Sequence, residues 1–379
     1  MKWIIIKTAV FRIICFLVWI LWLVPVKTEA AALKILHLTF HKGCAKEIEG
    51  IAQELNVELK TWFIPALAEK DLDGETTGNA IYNLGHERAE KIWKRHRHTF
   101  EQFDLIITSD TAPLSRIFLQ NGWEKPLVIW ICNRFDYCDQ ASLDCDFPDD
   151  EFYELFREAT QKQNVAIVAY TPFEHYYTKS KGVDTGSLLI KPCAPSLVQN
   201  FTSSIPPAIL KQEYFFLPPY HNEQYFIDLS SLLAQWNIPA YCGRYAGPYD
   251  LQGFKGIIHL PYTWSSLAFF ENMQLGIPYF VPSPAFLEKL VAYGNYFHPN
   301  LSALVEKKLY DLSEWYAPEH QDIITYFDSW EDLKKKTEEM DYAAQREKIR
   351  SFAVMHKEVM IGRWKKLLEQ MQIYDKSNQ

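Results

Sequence analysis

The sequence lacks the short signatures of most metal-dependent and hydrolytic enzymes. Its 379 residues hold no His-Glu-x-x-His, no Gly-x-Ser-x-Gly and no Walker phosphate loop, which sets aside the common zinc peptidase, serine hydrolase and P-loop chemistries. No Cys-x-x-Cys pair suggests zinc. No cofactor and no metal is implied, so metal-independent chemistry is the expectation. Positive charge is in deficit: 39 Lys and Arg stand against 47 Asp and Glu, a net charge of −8, and a nucleic-acid partner is not expected of such a chain. The one basic cluster, KIWKRHRH from Lys91 to His98, follows Glu87 and Glu90 and reads as a solvated helix face. Long disordered tracts are missing too. Apolar residues make up 48% of the chain and aromatics 15%, and this length suits two domains, each with its own core.

The first thirty residues differ in kind. Lys2, Lys7 and Arg12 precede the uncharged run IICFLVWILWLVPV, Ile13 to Val26, followed by KTEAAA. A run of that length suits the apolar core of a secretion signal, with Thr28 and Ala30 as small residues near a cleavage site. Extended through Ala9 to Phe11 it would reach a single span. Residues 1–31 are therefore expected to be a signal peptide or membrane anchor, and residues 4–26 would serve any membrane association. The positive N-terminal flank would place the remainder in the secretory lumen or cell envelope. Beyond Cys15 stand Cys44, Cys132, Cys138, Cys145, Cys193 and Cys242. An even number permits disulfides, and Cys132, Cys138 and Cys145 are near enough for a local bridge. Asn200-Phe201-Thr202 and Asn300-Leu301-Ser302 fit the glycosylation acceptor pattern.

What is present is a repeated alternation of short apolar runs and helical patterns, as expected of parallel strands covered on both faces. LKILHLTF (33–40), DLIITS (104–109), PLVIWIC (126–132), NVAIVAY (164–170) and SLLIKP (187–192) read as strands of one doubly wound sheet. HKGC, His41 to Cys44, reads as a loop before the helix AKEIEGIAQEL. The segment from Pro192 to Pro207 is rich in Pro, Ser and Thr and reads as a linker. A second alternation follows: YFFLP (214–218), IPAYCG (238–243), GIIHLP (256–261) and PYFVPS (278–283). The expected fold is α/β, with two Rossmann-like doubly wound domains, residues 32–196 and 197–340. Residues 341–379 form a C-terminal helix with an apolar stripe through Phe352, Met355, Val359 and Trp364.

One segment carries chemistry. In HLPYTWSSLAFFENMQLGIPYFVPS, a helix beginning near Ser265 would set Glu271 on the same side as Leu267. A carboxylate there needs donors or a cleft. In open α/β sheets, helices that follow strands begin at ligand crevices, so Ser265, Ser266 and the first-turn N–H groups suit a phosphate. Glu271, further along, suits the vicinal hydroxyls of a ribose. This segment resembles the donor-binding segment of GT-B glycosyltransferases, written roughly Glu-Ala-Met-x-x-Gly-x-Pro. Here it reads Glu271-Asn272-Met273-Gln274-Leu275-Gly276-Ile277-Pro278.

The resemblance implies two domains facing across a cleft, with the C-terminal helix crossing back to the first. It also implies transfer of a sugar from a nucleotide-sugar donor to a glycan, lipid or protein acceptor. It assigns Glu271 to the ribose, and Tyr262, Thr263, Ser265 and Ser266 to the donor site; retaining members often carry a glutamate where Thr263 stands. Gly243 and Arg244, after the second strand of that half, would add positive charge. Two other readings remain: a two-lobed periplasmic-type ligand-binding protein, and a nucleotide-sugar epimerase of the same fold.

In the first half, Asp136 in NRFDY is the first candidate for a general base and His41 the second. Asp110, in SDTAP, reads as a helix cap. Glu174 and His175, in YTPFEHYY, follow another strand.

Overall fold

The computed structural model describes residues 33–64, 84–133, 135–136, 149–197, 205–210, 213–218, 227–293 and 302–371. The N-terminal segment expected to be a signal or anchor lies outside them, as do Cys138, Cys145 and both glycosylation asparagines. Among the described residues, no helix is long and apolar enough to cross a membrane.

Two parallel sheets form the frame. In the first half the order is β1 (Lys34–Thr39), α1 (Lys42–Leu55), β2 (Glu58–Phe63), α2 (His86–Phe100), β3 (Leu105–Asp110), α3 (Arg116–Leu119), β4 (Leu127–Ile131), α4 (Asp150–Ala159), β5 (Val165–Ala169) and α5 (Pro172–Ser180). The second half continues with β6 (Phe215–Leu217), α6 (Leu229–Gln235), β7 (Ala240–Cys242), α7 (Pro248–Leu251), β8 (Ile257–Ile258), α8 (Leu267–Gln274) and β9 (Tyr279–Pro282). It closes with α9 (Pro284–Ala292), α10 (Ser302–Glu306), β10 (Ile324–Phe327), α11 (Trp330–Glu339) and α12 (Tyr342–Gln370).

The first sheet runs β2-β1-β3-β4-β5 and the second β10-β9-β8-β6-β7, with parallel pairing throughout. In either sheet the first strand lies one in from the edge, its successor forms that edge, and later strands add on the other side. The order therefore reverses between β1 and β3 and again between β6 and β8, and ligands of such sheets bind beyond the strand ends at that point.

Alternation along the strands divides the packing. Leu36, Leu38, Ile106 and Ile129 face a core with α2 to α4. Ile35, Ile107, Val128 and Trp130 face the other way, into a core continuous with that of the second sheet.

Some expectations are corrected. HKGC is not a loop: His41 is the N-cap and α1 begins at Lys42. SLLIKP forms no full strand; Leu189 makes one bridge to Ala169, because Lys191 turns inward to Glu314 and Pro192 has no N–H for a ladder. β2 and β10 have no clear sequence pattern: both are edge strands, with half-buried side chains over most of β2 and in the middle of β10. The buried stripe of α12 is Ile349, Ala353, His356, Met360, Trp364 and Leu367, while Met355 and Val359 are exposed. The helix does return to the first half. Trp364 packs edge-on against Trp130 at 5.9 Å, and Lys357 pairs with Glu54 of α1 at 2.9 Å.

Candidate functional site

The two reversal points meet. His41 follows β1, Asp110 ends β3, and α8, which carries Glu271, follows β8. Gly43, in the first turn of α1, lies against Leu267, the first residue of α8; a Cβ on Gly43 would stand 2.5 Å from Leu267 Cδ1. Around that contact Trp264 stacks on Phe173, with centroids 3.5 Å apart and planes 9° from parallel. Ser265 Oγ donates to Tyr170 Oη at 3.1 Å.

On the first-half side, His41 Nδ1 accepts from Gly43 N–H at 3.1 Å. The His41 pKa is raised to about 9, mainly by hydrogen bonding to Cys44 and, against the effect of burial, by the charges of Cys44, Asp110 and Glu271. Asp110 has φ +75, a left-handed conformation costing a residue with a Cβ about 1–2 kcal/mol. Burial raises its carboxyl to about 6 and the His41 charge lowers it. It does not cap a helix: the following 3-10 turn starts after Thr111 without a side-chain cap. The Cys44 thiol is lowered, first by hydrogen bonding to Cys132, then by His41 against burial.

On the second-half side, Glu271 is half-buried. Burial raises its pKa, offset by the charges of Lys46 and His41. Among the described residues no hydrogen bond reaches its carboxylate. Ser266 is the N-cap of α8 but its side chain makes no cap bond. Thr263 Oγ1 donates to the Ser265 carbonyl and accepts from Ser265 N–H, which fixes the loop. Gly243 and Arg244 follow β7, with Arg244 exposed. Next to them, the Tyr245 phenol is raised to about 12 by burial and then by the charges of Glu271 and Tyr262. The cations acting on Glu271 are thus Lys46 and His41, from the first half, rather than Arg244.

Asp136 is held by two tyrosines. Its Oδ2 accepts from Tyr153 Oη at 2.5 Å and from Tyr177 Oη at 3.2 Å, on α4 and α5. Glu174 closes a capping box at α5 with Thr171. His175 spans Thr185 Oγ1 and the Leu188 carbonyl, at 2.9 and 3.0 Å. These three hold loops and helix ends.

Sequence reasoning named Asp110 for the wrong role and passed over Cys44, Lys46 and Tyr170. Cys44 belongs to a helical turn that reads as loop, Lys46 lies on the expected helix with nothing in the sequence to aim it at Glu271, and a strained Asp at a strand end has no sequence signal beyond its position.

Among the described residues, Glu314, Glu319 and His320 have ligand atoms within 4.8 Å of one another. The Lys191 ammonium sits among them, 2.8 Å from Glu314 and 2.6 Å from Glu319, and takes the place a cation would fill. The sequence also holds two Asp-x-Asp triplets, Asp71-Leu72-Asp73 and Asp144-Cys145-Asp146, both outside the described residues. The described cysteines Cys44, Cys132, Cys193 and Cys242 are free thiols.

No protein-family model matches the chain, and no curated protein matches it. Solved structures resemble it at low identity. CalG4, the calicheamicin glycosyltransferase, is 11% identical, with 90% of this chain and 98% of that one covered and a TM-score of 0.43. UGT89C1 of Arabidopsis thaliana, complexed with UDP-L-rhamnose, is 10% identical over 90% and 100% of the two chains, TM-score 0.45. The UDP-GlcNAc 2-epimerase of Neisseria meningitidis, bound to UDP-GlcNAc, is 12% identical over 90% and 100%, TM-score 0.43.

Proposed function

We infer that the chain transfers a sugar from a nucleoside diphosphate donor to a hydroxyl of an acceptor, a glycan, lipid or protein. The observation that carries this reading is the meeting of the two reversal points. It sets a titratable imidazole, His41, within charge reach of a half-buried carboxylate, Glu271.

The two carboxylate oxygens of Glu271 suit the two vicinal hydroxyls of a ribose. The N–H groups of Leu267 and Ala268 at the start of α8, beside a Ser266 hydroxyl that makes no cap bond, suit the donor phosphates, with Arg244 as an added charge. In transfer, the acceptor O–H gives its proton to His41 and the acceptor oxygen bonds to the anomeric carbon. The bond from that carbon to the phosphate oxygen breaks, and its electron pair leaves with the nucleoside diphosphate. His41 must first release Gly43 N–H and present an unprotonated nitrogen. Asp110 beside it then stabilises the imidazolium. The N-terminal segment would put this reaction on the non-cytoplasmic side of a membrane.

Thermal unfolding of the protein with nucleoside mono- and diphosphates and their sugar conjugates tests the reading. One nucleotide class should raise Tm in proportion to the logarithm of its concentration. Stabilisation by free sugars alone would favour a ligand-binding protein, and no stabilisation by any nucleotide at millimolar concentration removes the reading. Analysis of the donor after incubation separates transfer, which releases the nucleotide, from epimerisation, which keeps it attached.

A further inference from the structure

Where the chain leaves the first sheet, the stretch Lys191 to Ala194 is gripped from several sides. Glu47 of α1, 4% exposed, accepts from Cys193 N–H at 2.7 Å and from Ala194 N–H at 2.9 Å. Gln274 of α8 donates through Nε2 to the carbonyl of the same Cys193 at 2.8 Å. His356 of α12 bonds the Pro192 carbonyl at 2.8 Å. Ala194 has φ +44, a conformation that a residue with a Cβ keeps only when its surroundings impose it, and its N–H is one of the two that Glu47 holds. Gly50, on the same side of α1 as Glu47, lets the chain lie close: a Cβ there would stand 2.6 Å from Pro195 Cγ.

A single backbone residue thus joins two helices, its N–H bonded to α1 and its C=O to α8. His41 caps the start of the helix that carries Glu47. Glu271 lies one turn before Gln274, on the same side of α8. We propose that the Glu47–Cys193–Gln274 bridge is a positioning device that sets the spacing of His41 and Glu271 across the cleft. Helices are stiff over one or two turns, so fixing Glu47 and Gln274 to one peptide unit fixes the helix starts relative to each other. Any opening of the cleft must pivot about this residue or break its bonds. The assignment rests on the reading of His41 and Glu271 given above; the bridge itself is geometry.

Hydrogen exchange followed by mass spectrometry tests it, on the full chain with and without UDP as the probe, comparing wild type with Glu47→Gln and Gln274→Leu. Each substitution should speed exchange at least tenfold in residues 193–197 and also across the cleft, in 42–46 and 263–267, while β4 and β9 stay protected. UDP should protect both sides of the cleft in the wild type and only 263–274 in the variants. Faster exchange confined to 193–197, or no change in either variant, overturns the proposal. So does loss of protection in β4 and β9, which would mark Glu47 and Gln274 as supports of the whole fold. If UDP protects nothing in the wild type, the nucleotide reading fails, and the comparison of ligand-free proteins still decides the bridge.

Discussion

Glu271 and Glu174 show how little residue type alone says about role. Both are glutamates in the helix that follows a parallel strand, yet Glu174 spends its carboxylate on Thr171 N–H at 2.8 Å, while among the described residues no hydrogen bond reaches Glu271. Glu271→Gln should therefore leave the fold intact and weaken nucleotide binding. Losing charge assistance costs about 1.5–3 kcal/mol per bond, so Kd should rise at least tenfold by calorimetry. A 2′,3′-dideoxy nucleotide should bind wild type and variant alike, because the contact is already absent; equal losses for both ligands would make Glu271 structural. Asp136→Asn carries the opposite expectation. The charged acceptor of two tyrosine hydroxyls is lost, so Tm should fall by a few degrees while turnover stays within about threefold. Loss of turnover at unchanged Tm would return the base to Asp136. For His41, a pKa raised to about 9 means that kcat/KM should climb about tenfold per pH unit below that value. His41→Ala should abolish the climb along with most of the rate, and an unchanged profile would remove His41 from the proton transfer.

At the scale of elements, the contact of α1 with α8 depends on one missing side chain. In an isolated helix, Gly43→Ala would be favourable by about 1 kcal/mol. Here the new Cβ would meet Leu267 Cδ1 at 2.5 Å and the His41 ring at 2.9 Å, so the helix starts must separate or the ring must turn. Tm should change little, and turnover should drop at least fivefold. Leu267→Ala in the same chain should restore part of it by making room. Full activity in the single variant would show that the two helix starts need not touch for the reaction. The element-level reading from sequence was uneven for a physical reason. Runs such as LVIWI are apolar throughout because they are covered on both faces, and they are legible at once. ELKTWF lies at a sheet edge, half-buried, and its pattern is no different from that of a loop.

For the whole molecule, stability against pH follows from buried titratable groups. Glu47, Glu174 and Glu314 are each raised to about 7 by burial. A raised carboxyl favours the protonated fold, so that contribution is complete below the ordinary value near 4.5 and is lost as pH rises to 7. Burial lowers His37 to about 3 and both His320 and His356 to about 4. A lowered imidazole favours the neutral fold, so its contribution is complete above 6.5 and is lost as pH falls to 4 and, for His37, to 3. Between about 4.5 and 6.5 the two sets change in opposite directions, each group by about 1.4 kcal/mol per pH unit. These six groups should therefore nearly cancel across that window in the free energy of unfolding from urea titrations at fixed pH; Asp110, raised to about 6, tilts it downward as pH rises, and His41, raised to about 9, adds a further fall above 6.5. Glu174→Gln removes one of the contributions that weaken as pH rises, so across that window the variant's free energy of unfolding should climb with pH relative to wild type. A sharp maximum above pH 8 would contradict this balance.

The sequence by itself determined the class of fold, because alternating buried strands and amphipathic helices have few other arrangements. It also determined that Glu271 needed an explanation, since a carboxylate in an apolar helix face must meet a donor or a cleft. Glu271, Ser265, Ser266 and His41 could be named because each follows a strand end, where α/β sheets place their ligands. Tertiary structure alone decided which strand ends meet. Asp136 and Asp110 both follow first-half strands, and only packing shows that tyrosines from two helices hold one while the other lies strained beside His41. The role of Cys193 was equally invisible. Its side chain carries none of it; its N–H and C=O do, and every residue but proline owns the same pair, so only the position of that peptide between Glu47 and Gln274 gives it meaning.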